Sequence, residues 1–251
     1  MRRSTAVLLM IAMISLALTP SIASAEAKSK KEKSNKQVSS TFEKDDEKSK
    51  KMKGAKQIST SALDSFCDPT SASGHAPKRL RVPSIDKPHV EKTITLITNC
   101  GTIKISADGV AAPLTVISMS YLANKGFFNK APCHRITTEG IYVLQCGDPT
   151  ASGSGGPTWQ VPDENLPLGA GNIYPAGSVA MANSGPNTNG SQFFIVYADN
   201  SRLAPNYTLW GEVTEGLDII QMIAEAGSDN SNGAGDGKPN QGITILKANS
   251  R

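Results

Sequence analysis

The sequence predicts a mainly β protein, a closed antiparallel barrel whose two open ends are each covered by a helix. Three observations carry that expectation. Short runs rich in Ile, Val, Thr, Tyr and Phe recur between residues 93 and 246, several alternating with period two. Two stretches show helical spacing, one near each end of that region. The joins between runs are Gly-, Asn-, Asp- and Pro-rich, the composition of turns. Many short strands with two helices suit a closed sheet better than layers of helix on sheet.

The 251 residues exceed one typical domain, but the first third has almost no material for a core. Residues 1–25 have the three parts of a secretory signal: Arg2 and Arg3, an apolar run from Ala6 to Leu18, and Ala23-Ser24-Ala25, after which cleavage is expected. The apolar run falls short of the about twenty residues that span a bilayer, which argues for cleavage and leaves an uncleaved anchor as the lesser alternative. Residues 26–61 are Lys-, Ser- and Glu-rich with one aromatic, Phe42, and read as a disordered linker. A role in contacting an anionic cell envelope competes there with that of a solvated spacer. Residues 62–88, with Cys67 and several prolines, read as an irregular arm ordered by a disulfide.

The folded domain is expected over 89–251. Thr93 to Thr98 and Thr102 to Ser106 alternate about the turn Asn99-Cys100-Gly101, which predicts a hairpin. Pro113 opens a helix that closes at Gly126. Cys133 to Ile136 and Ile141 to Cys146 read as strands. A Gly- and Pro-rich excursion over 147–171 is expected to be pinned by Asp163-Glu164-Asn165. Strands follow at Gly177 to Ala182, Gln192 to Tyr197 and Tyr207 to Val213, then a helix from Glu215 ended by Gly227. A polar loop over 228–241 leads to the last strand, Ile243 to Leu246.

The net charge of +4 is uneven: residues 1–25 carry +2, residues 26–57 carry +5, and the rest −3. The basic character belongs to the tail, so the domain offers no footprint for nucleic acid. Four cysteines, Cys67, Cys100, Cys133 and Cys146, suit two disulfides in an exported chain, and three pairings are open. Cys133 with Cys146 would follow if their strands are neighbours, leaving Cys67 for Cys100. Side-chain alternation argues against it, because Cys133 shares a face with Arg135 while Cys146 lies opposite Gln145. A metal site at Cys133, His134 and Cys146 lacks a CxxC pair and a fourth ligand.

The most informative stretch is Met181-Ala-Asn-Ser-Gly-Pro-Asn-Thr-Asn-Gly-Ser-Gln-Phe-Phe194, turn chemistry held between two apolar runs. The primary amides Asn183 and Gln192 can donate and accept, which suits docking an extended peptide. Read alone, it is equally a rigid surface loop whose Asn side chains bond their own backbone. The stretch resembles the signature loop of the cyclophilin family of peptidyl-prolyl isomerases, and the likeness extends over about 89–251. The resemblance implies an eight-stranded barrel capped by two helices.

Rotation about an X-Pro bond meets a barrier of about 18–20 kcal/mol from amide conjugation. A fixed cationic donor aimed at the proline nitrogen lowers it, because the lone pair localises there only in the twisted state. Arg135, in Cys133-His134-Arg135-Ile136, matches the family's His-Arg and is the expected catalytic residue. By the same resemblance Val143, Phe194 and Leu203 form the proline pocket with Tyr142 and Tyr207 at its rim, and His134 stands beside it. Gln145, two residues beyond Val143 on one face, braces Arg135 or the substrate carbonyl. Asn183 and Gln192 hold the peptide, and Ala182 leaves room for the residue before proline. Four positions depart from the family pattern. Cys133 replaces a frequent Phe, the turn before Gln145 is two residues longer, Arg202 replaces the Trp many members use for cyclosporin, and Tyr207 replaces a frequent His.

A monomeric isomerase acting on proline-containing polypeptides of exported proteins is therefore expected, with no cofactor or metal. A non-catalytic chaperone holding proline segments, or a surface interaction module that works through its basic tail, is the alternative.

Overall fold

The computed structural model describes residues 66–169, 171–199 and 202–251, all within one unit spanning Gln57–Arg251. The expected signal segment and linker lie outside the described residues. The expected hairpin forms β1 (Lys92–Thr98) and β2 (Gly101–Ala107), paired from Lys92↔Ala107 to Thr98↔Gly101. Its alternation buries Ile94, Leu96, Ile103 and Ile105.

Helix α1 (Pro113–Asn124) has no cap of its own. Glu164 supplies one from the excursion, accepting from the backbone N–H of Leu114 (3.0 Å) and Thr115 (2.8 Å) and from the Thr115 hydroxyl (2.7 Å). A carboxylate there satisfies unpaired N–H groups and meets the positive end of the helix dipole. Asp163 accepts from the Asn187 N–H and the Asn189 amide, while Asn165 donates to the Leu209 carbonyl. The excursion is thus pinned at the expected triplet.

The chain continues through β3 (Ala131–Pro132), β4 (Arg135–Thr137), β5 (Val143–Cys146), β6 (Ser178–Met181), β7 (Phe193–Val196) and β8 (Leu209–Glu215). Helix α2 (Leu217–Glu225), β9 (Asp236–Gly237) and β10 (Thr244–Ser250) complete it. The strands form one antiparallel sheet of ten, ordered β3-β10-β1-β2-β8-β6-β7-β5-β4-β9. This corrects the expected count of eight: β3 and β9 are two-residue pairings, too short for any periodicity to reveal. The ladder also has two ends, so a closed eight-stranded barrel is not what the hydrogen bonds describe. The sheet is nonetheless strongly curled. β3 is first in the order and β4 next to last, yet only Cys133 and His134 separate them in sequence. Three residue steps reach at most about 10 Å, so the two ends must approach each other.

Both disulfides of the neighbour pairing are present, Cys67–Cys100 and Cys133–Cys146. The alternation argument against the second fails because Cys133 lies outside β4. Its N–H bonds the Ile243 carbonyl and that of His134 the Gln145 carbonyl, so neither follows the pleat of the strand beyond. The arm is fixed by more than its disulfide. The Asp68 N–H donates to the Asn99 carbonyl, the His75 N–H to that of Pro149, and Lys78 Nζ to that of Lys125.

One face of the sheet packs the main core, with Ile136, Leu144, Phe193, Ile195 and Trp210 among its residues. Edge-to-face rings link Phe127, Phe128, Phe193 and Trp210 across it. The alternate residues of the same strands, Val143, Phe194, Val196 and Ala180, join Tyr174 in a separate cluster on the opposite face. That second face carries the candidate site.

Candidate active site

Antiparallel register sets Arg135 opposite Gln145, Gln145 opposite Phe194, and Phe194 opposite Ala180. Directly opposed residues share a face, so three strands deliver a cation, an amide and a ring to one row. Around that row lies a cavity of about 190 Å³. Its apolar wall is Ile141, Val143, Phe194, Leu203 and Tyr207; Arg135, Gln145, Ala182 and Asn183 complete the lining.

Larger cavities exist, of about 370 Å³ between the arm and α1 and about 310 Å³ beside the loop 153–160. The smaller one is singled out because its guanidinium is held in place by side-chain hydrogen bonds against an apolar wall, whereas the arginine lining the cavity beside α1 is the exposed Arg251. Its backing is an aromatic trio. Phe194 and Tyr207 meet edge to face at 5.3 Å, and Tyr174 packs on both at 6.3 and 6.4 Å. The Tyr174 hydroxyl donates to the Tyr207 carbonyl (2.9 Å) and accepts the Tyr207 N–H (3.0 Å), fixing that wall. Burial pushes its phenol up to about 12, so it stays protonated and keeps the donor.

The guanidinium is clamped. Nε and Nη2 donate to the two oxygens of Asp236 (2.8 and 2.6 Å), and Nη1 donates to Gln145 Oε1 (3.2 Å). These hydrogen bonds hold Asp236 below the usual carboxylate range and raise Arg135 further, so both are charged at any working pH. Gln145 Nε2 in turn donates to Gln192 Oε1 (2.9 Å), and Gln192 Nε2 donates to the carbonyls of Gly153 and Gly155 (3.0 Å each). Those two glycines are held by Asp148, which accepts both their N–H groups. Burial alone would raise the Asp148 carboxyl; hydrogen bonds from Thr150, Gly155 and Gly153 outweigh it and hold the group low.

Most expected site residues converge here: Arg135, Val143, Gln145, Ala182, Asn183, Phe194, Leu203 and Tyr207. Three do not behave as expected. Tyr142 packs edge to face on Tyr197 and against the main core, and Ile141 takes its place in the cavity. Ile141 lies two residues before Val143 and shares its face, whereas Tyr142 falls between them and faces the other way. Gln192 spends both amide protons on Gly153 and Gly155, so it braces the site rather than presenting donors to a peptide. His134 lines neither the cavity nor the groove beside it. Its ring nitrogens are buried without a partner, and burial lowers its pKa, leaving it neutral. Asn183 remains partly available: Nδ2 donates one bond, to the Asn206 carbonyl.

Sequence reasoning missed Tyr174 and Asp236. Neither sits in a run with a readable period, and the contact between Asp236 and Arg135 spans 101 positions. Among the described residues no group of three His, Cys, Asp or Glu side chains is placed to hold a metal, and the cysteines weighed as ligands are bonded to each other.

The cyclophilin type peptidyl-prolyl cis-trans isomerase/CLD family model matches residues 93–250. A "probable peptidyl-prolyl cis-trans isomerase B" of Mycobacterium tuberculosis is 40% identical over 197 residues, covering 73% of this chain and 63% of that relative. The chain thus spans a little under two thirds of the mycobacterial protein's length. Peptidyl-prolyl cis-trans isomerase 10 of Caenorhabditis elegans is 37% identical over 139 residues, which cover 55% of this chain and 85% of that one. A crystal structure of a cyclophilin type isomerase from Cryptosporidium parvum superposes with a TM-score of 0.55 at 28% identity, over 64% of this chain and 98% of its own. The same protein in the presence of the dipeptide Ala-Pro gives 0.54 at 28% identity, over 63% and 98%. The clamped arginine above an apolar pocket, the curled sheet that presents it, and these likenesses together place the chain in the cyclophilin-type peptidyl-prolyl cis-trans isomerase family.

Proposed function

We propose that the domain accelerates cis–trans rotation about X-Pro bonds in polypeptides, using the curled sheet as a closed barrel scaffold. The carrying observation is the guanidinium of Arg135, charged and immobilised beside an apolar cavity of about 190 Å³. The proline ring occupies the wall of Ile141, Val143, Phe194, Leu203 and Tyr207 while the acyl part turns. As the amide twists, its nitrogen lone pair localises and accepts from Arg135, an interaction stronger in the transition state than in either ground state. Asn183 takes the peptide backbone, and Gln145 and Gln192 hold the cation's frame. No nucleophile or proton shuttle takes part, in keeping with the neutral His134.

We place this activity outside the cytoplasm, in the folding of exported proteins, with residues 1–25 as signal, 26–61 as linker, and the domain over 89–251 acting as a monomer. The two disulfides support an oxidising compartment. The test is isomerisation of a short Ala-Pro peptide by the full chain beside Arg135→Ala. Catalysis that collapses in the variant, with an unchanged circular dichroism spectrum, is expected. A folded wild type that binds the peptide without turning it over would replace this reading with the binding module.

A further inference from the structure

Two of the three hydrogen bonds that clamp Arg135 come from a part of the chain outside the pocket and the signature loop. Asp236 is not among the residues that line the cavity, yet it takes two of the five guanidinium N–H groups in a fork. It sits on β9, paired to β4 as Thr137↔Asp236 and Ile136↔Gly237. A residue opposite Thr137 shares the face of Thr137 and of Arg135 two residues before it, one diagonal step away.

The loop is built to deliver that carboxylate. Asn230 Oδ1 accepts the Gly235 N–H (2.7 Å), and the Thr138 N–H donates to the Gly235 carbonyl (2.7 Å). Asp229 Oδ1 gathers the N–H groups of Ser231 and Lys238, and Asn232 Nδ2 donates to Asp236 Oδ1 (3.1 Å). The flanking glycines leave no latitude. Gly235 has φ +67°, and a Cβ there would sit 2.7 Å from Glu139 Cβ; at Gly237 a Cβ would sit 2.1 Å from Asp229 Oδ1. A partly exposed ion pair adds little to stability, so such construction points to a role other than holding the fold.

Resting on the isomerase reading above, we propose that Asp236 is a positioning residue for the reaction. It fixes the plane of the Arg135 guanidinium so that its two uncommitted N–H groups stay directed at the turning amide. With Nε and Nη2 on Asp236 and Nη1 on Gln145, the cation is gripped from two sides and cannot swing on its stem. The carboxylate also offsets part of the positive charge. Orientation outweighs that loss, because the acceptor is a neutral nitrogen whose hydrogen bond weakens steeply with angle.

The experiment measures Ala-Pro peptide isomerisation by the full chain carrying D236A, D236N, R135A and R135A/D236A, with 15N relaxation of the Arg135 side-chain Nε–H. D236A is expected to lower kcat about ten- to a hundredfold, as for a misplaced catalytic group, with KM within about twofold. D236N keeps one acceptor and loses less. Adding D236A to R135A costs nothing further, which a general structural role would not predict. The Nε–H, ordered in the wild type, becomes mobile in D236A. Equal or higher activity of D236A or D236N, or an Nε–H as ordered as before, overturns the inference. If D236A fails to fold, D236N and its Nε–H decide. Catalysis lost in R135A but kept in D236A overturns the positioning role alone. A wild type that does not catalyse overturns the isomerase reading and this inference with it.

Discussion

Strands β4, β5, β6 and β7 have two faces that obey different rules. On one, Ile136, Leu144, Phe193 and Ile195 merge into the core that holds the domain together. On the other, Arg135, Val143, Gln145 and Phe194 alternate with them, and the packing is deliberately incomplete. Neighbouring residues of one strand therefore serve opposite ends, stability and chemistry. The core face tolerates only apolar volume, whereas the site face spends hydrogen bonds to hold an open cavity with a charge at its edge. On the proposed isomerase reading, the difference teaches that bond rotation needs rigidity behind the site more than reactive groups within it.

Adjacent substitutions sharpen that comparison most. Arg135→Ala should lower kcat/KM about 10²- to 10³-fold with little change in thermal unfolding. Ile136→Ala, one residue on and fully buried, should cost about 2–5 kcal/mol of stability as a cavity forms. Reversed outcomes in paired activity and melting measurements would break the division of faces. Next in size is the Cys133–Cys146 disulfide, which ties the link between β3 and β4 to the end of β5. Replacing both cysteines with serine should cost about 3 kcal/mol, read by denaturant unfolding, and should loosen the site beside it.

Smaller effects test the site face alone. Arg202 stands beside Gly140 in the turn after β4, where a Cβ would sit 3.7 Å from its Nη1. Lacking an indole donor and stacking face, the domain should bind cyclosporin about tenfold more weakly than members with that Trp, a difference of about 1.4 kcal/mol; calorimetric titration gives the value. Tyr174→Phe removes both bonds to the Tyr207 backbone and should cost about 1 kcal/mol, with a modest loss of activity.

The acid limb is the weakest effect. The Asp236 carboxyl is depressed by its bonds to Arg135, so its contribution is present above the unfolded carboxylate range and lost as pH falls through the depressed value. The melting temperature should therefore decline on the acid side, and Asp236→Asn should flatten part of that decline, by less than about 1 kcal/mol for a partly exposed pair. An identical acid limb in the variant would show that Asp236 is not the group responsible.

By itself the sequence determined what local pattern and chemistry can determine. Alternation of Ile94, Leu96, Ile103 and Ile105 gave the hairpin, Pro113 and Gly126 bounded α1, and the Asp163-Glu164-Asn165 triplet marked where the excursion is tied. The resemblance of 181–194, with the His134-Arg135 pair, pointed to the site and most of its lining. Tertiary structure alone decided the rest. The pairing of Cys133 with Cys146 depended on Cys133 leaving the strand pleat, and the exchange of Tyr142 for Ile141 depended on which face of the β5 segment lines the cavity. The two-residue strands β3 and β9 have no period to read, because each exists only by bonding a distant partner. Asp236 is the clearest case. A carboxylate in a polar loop has no identity in one dimension, and it becomes the partner of a cation 101 positions away only when the sheet curls and sets β9 against β4.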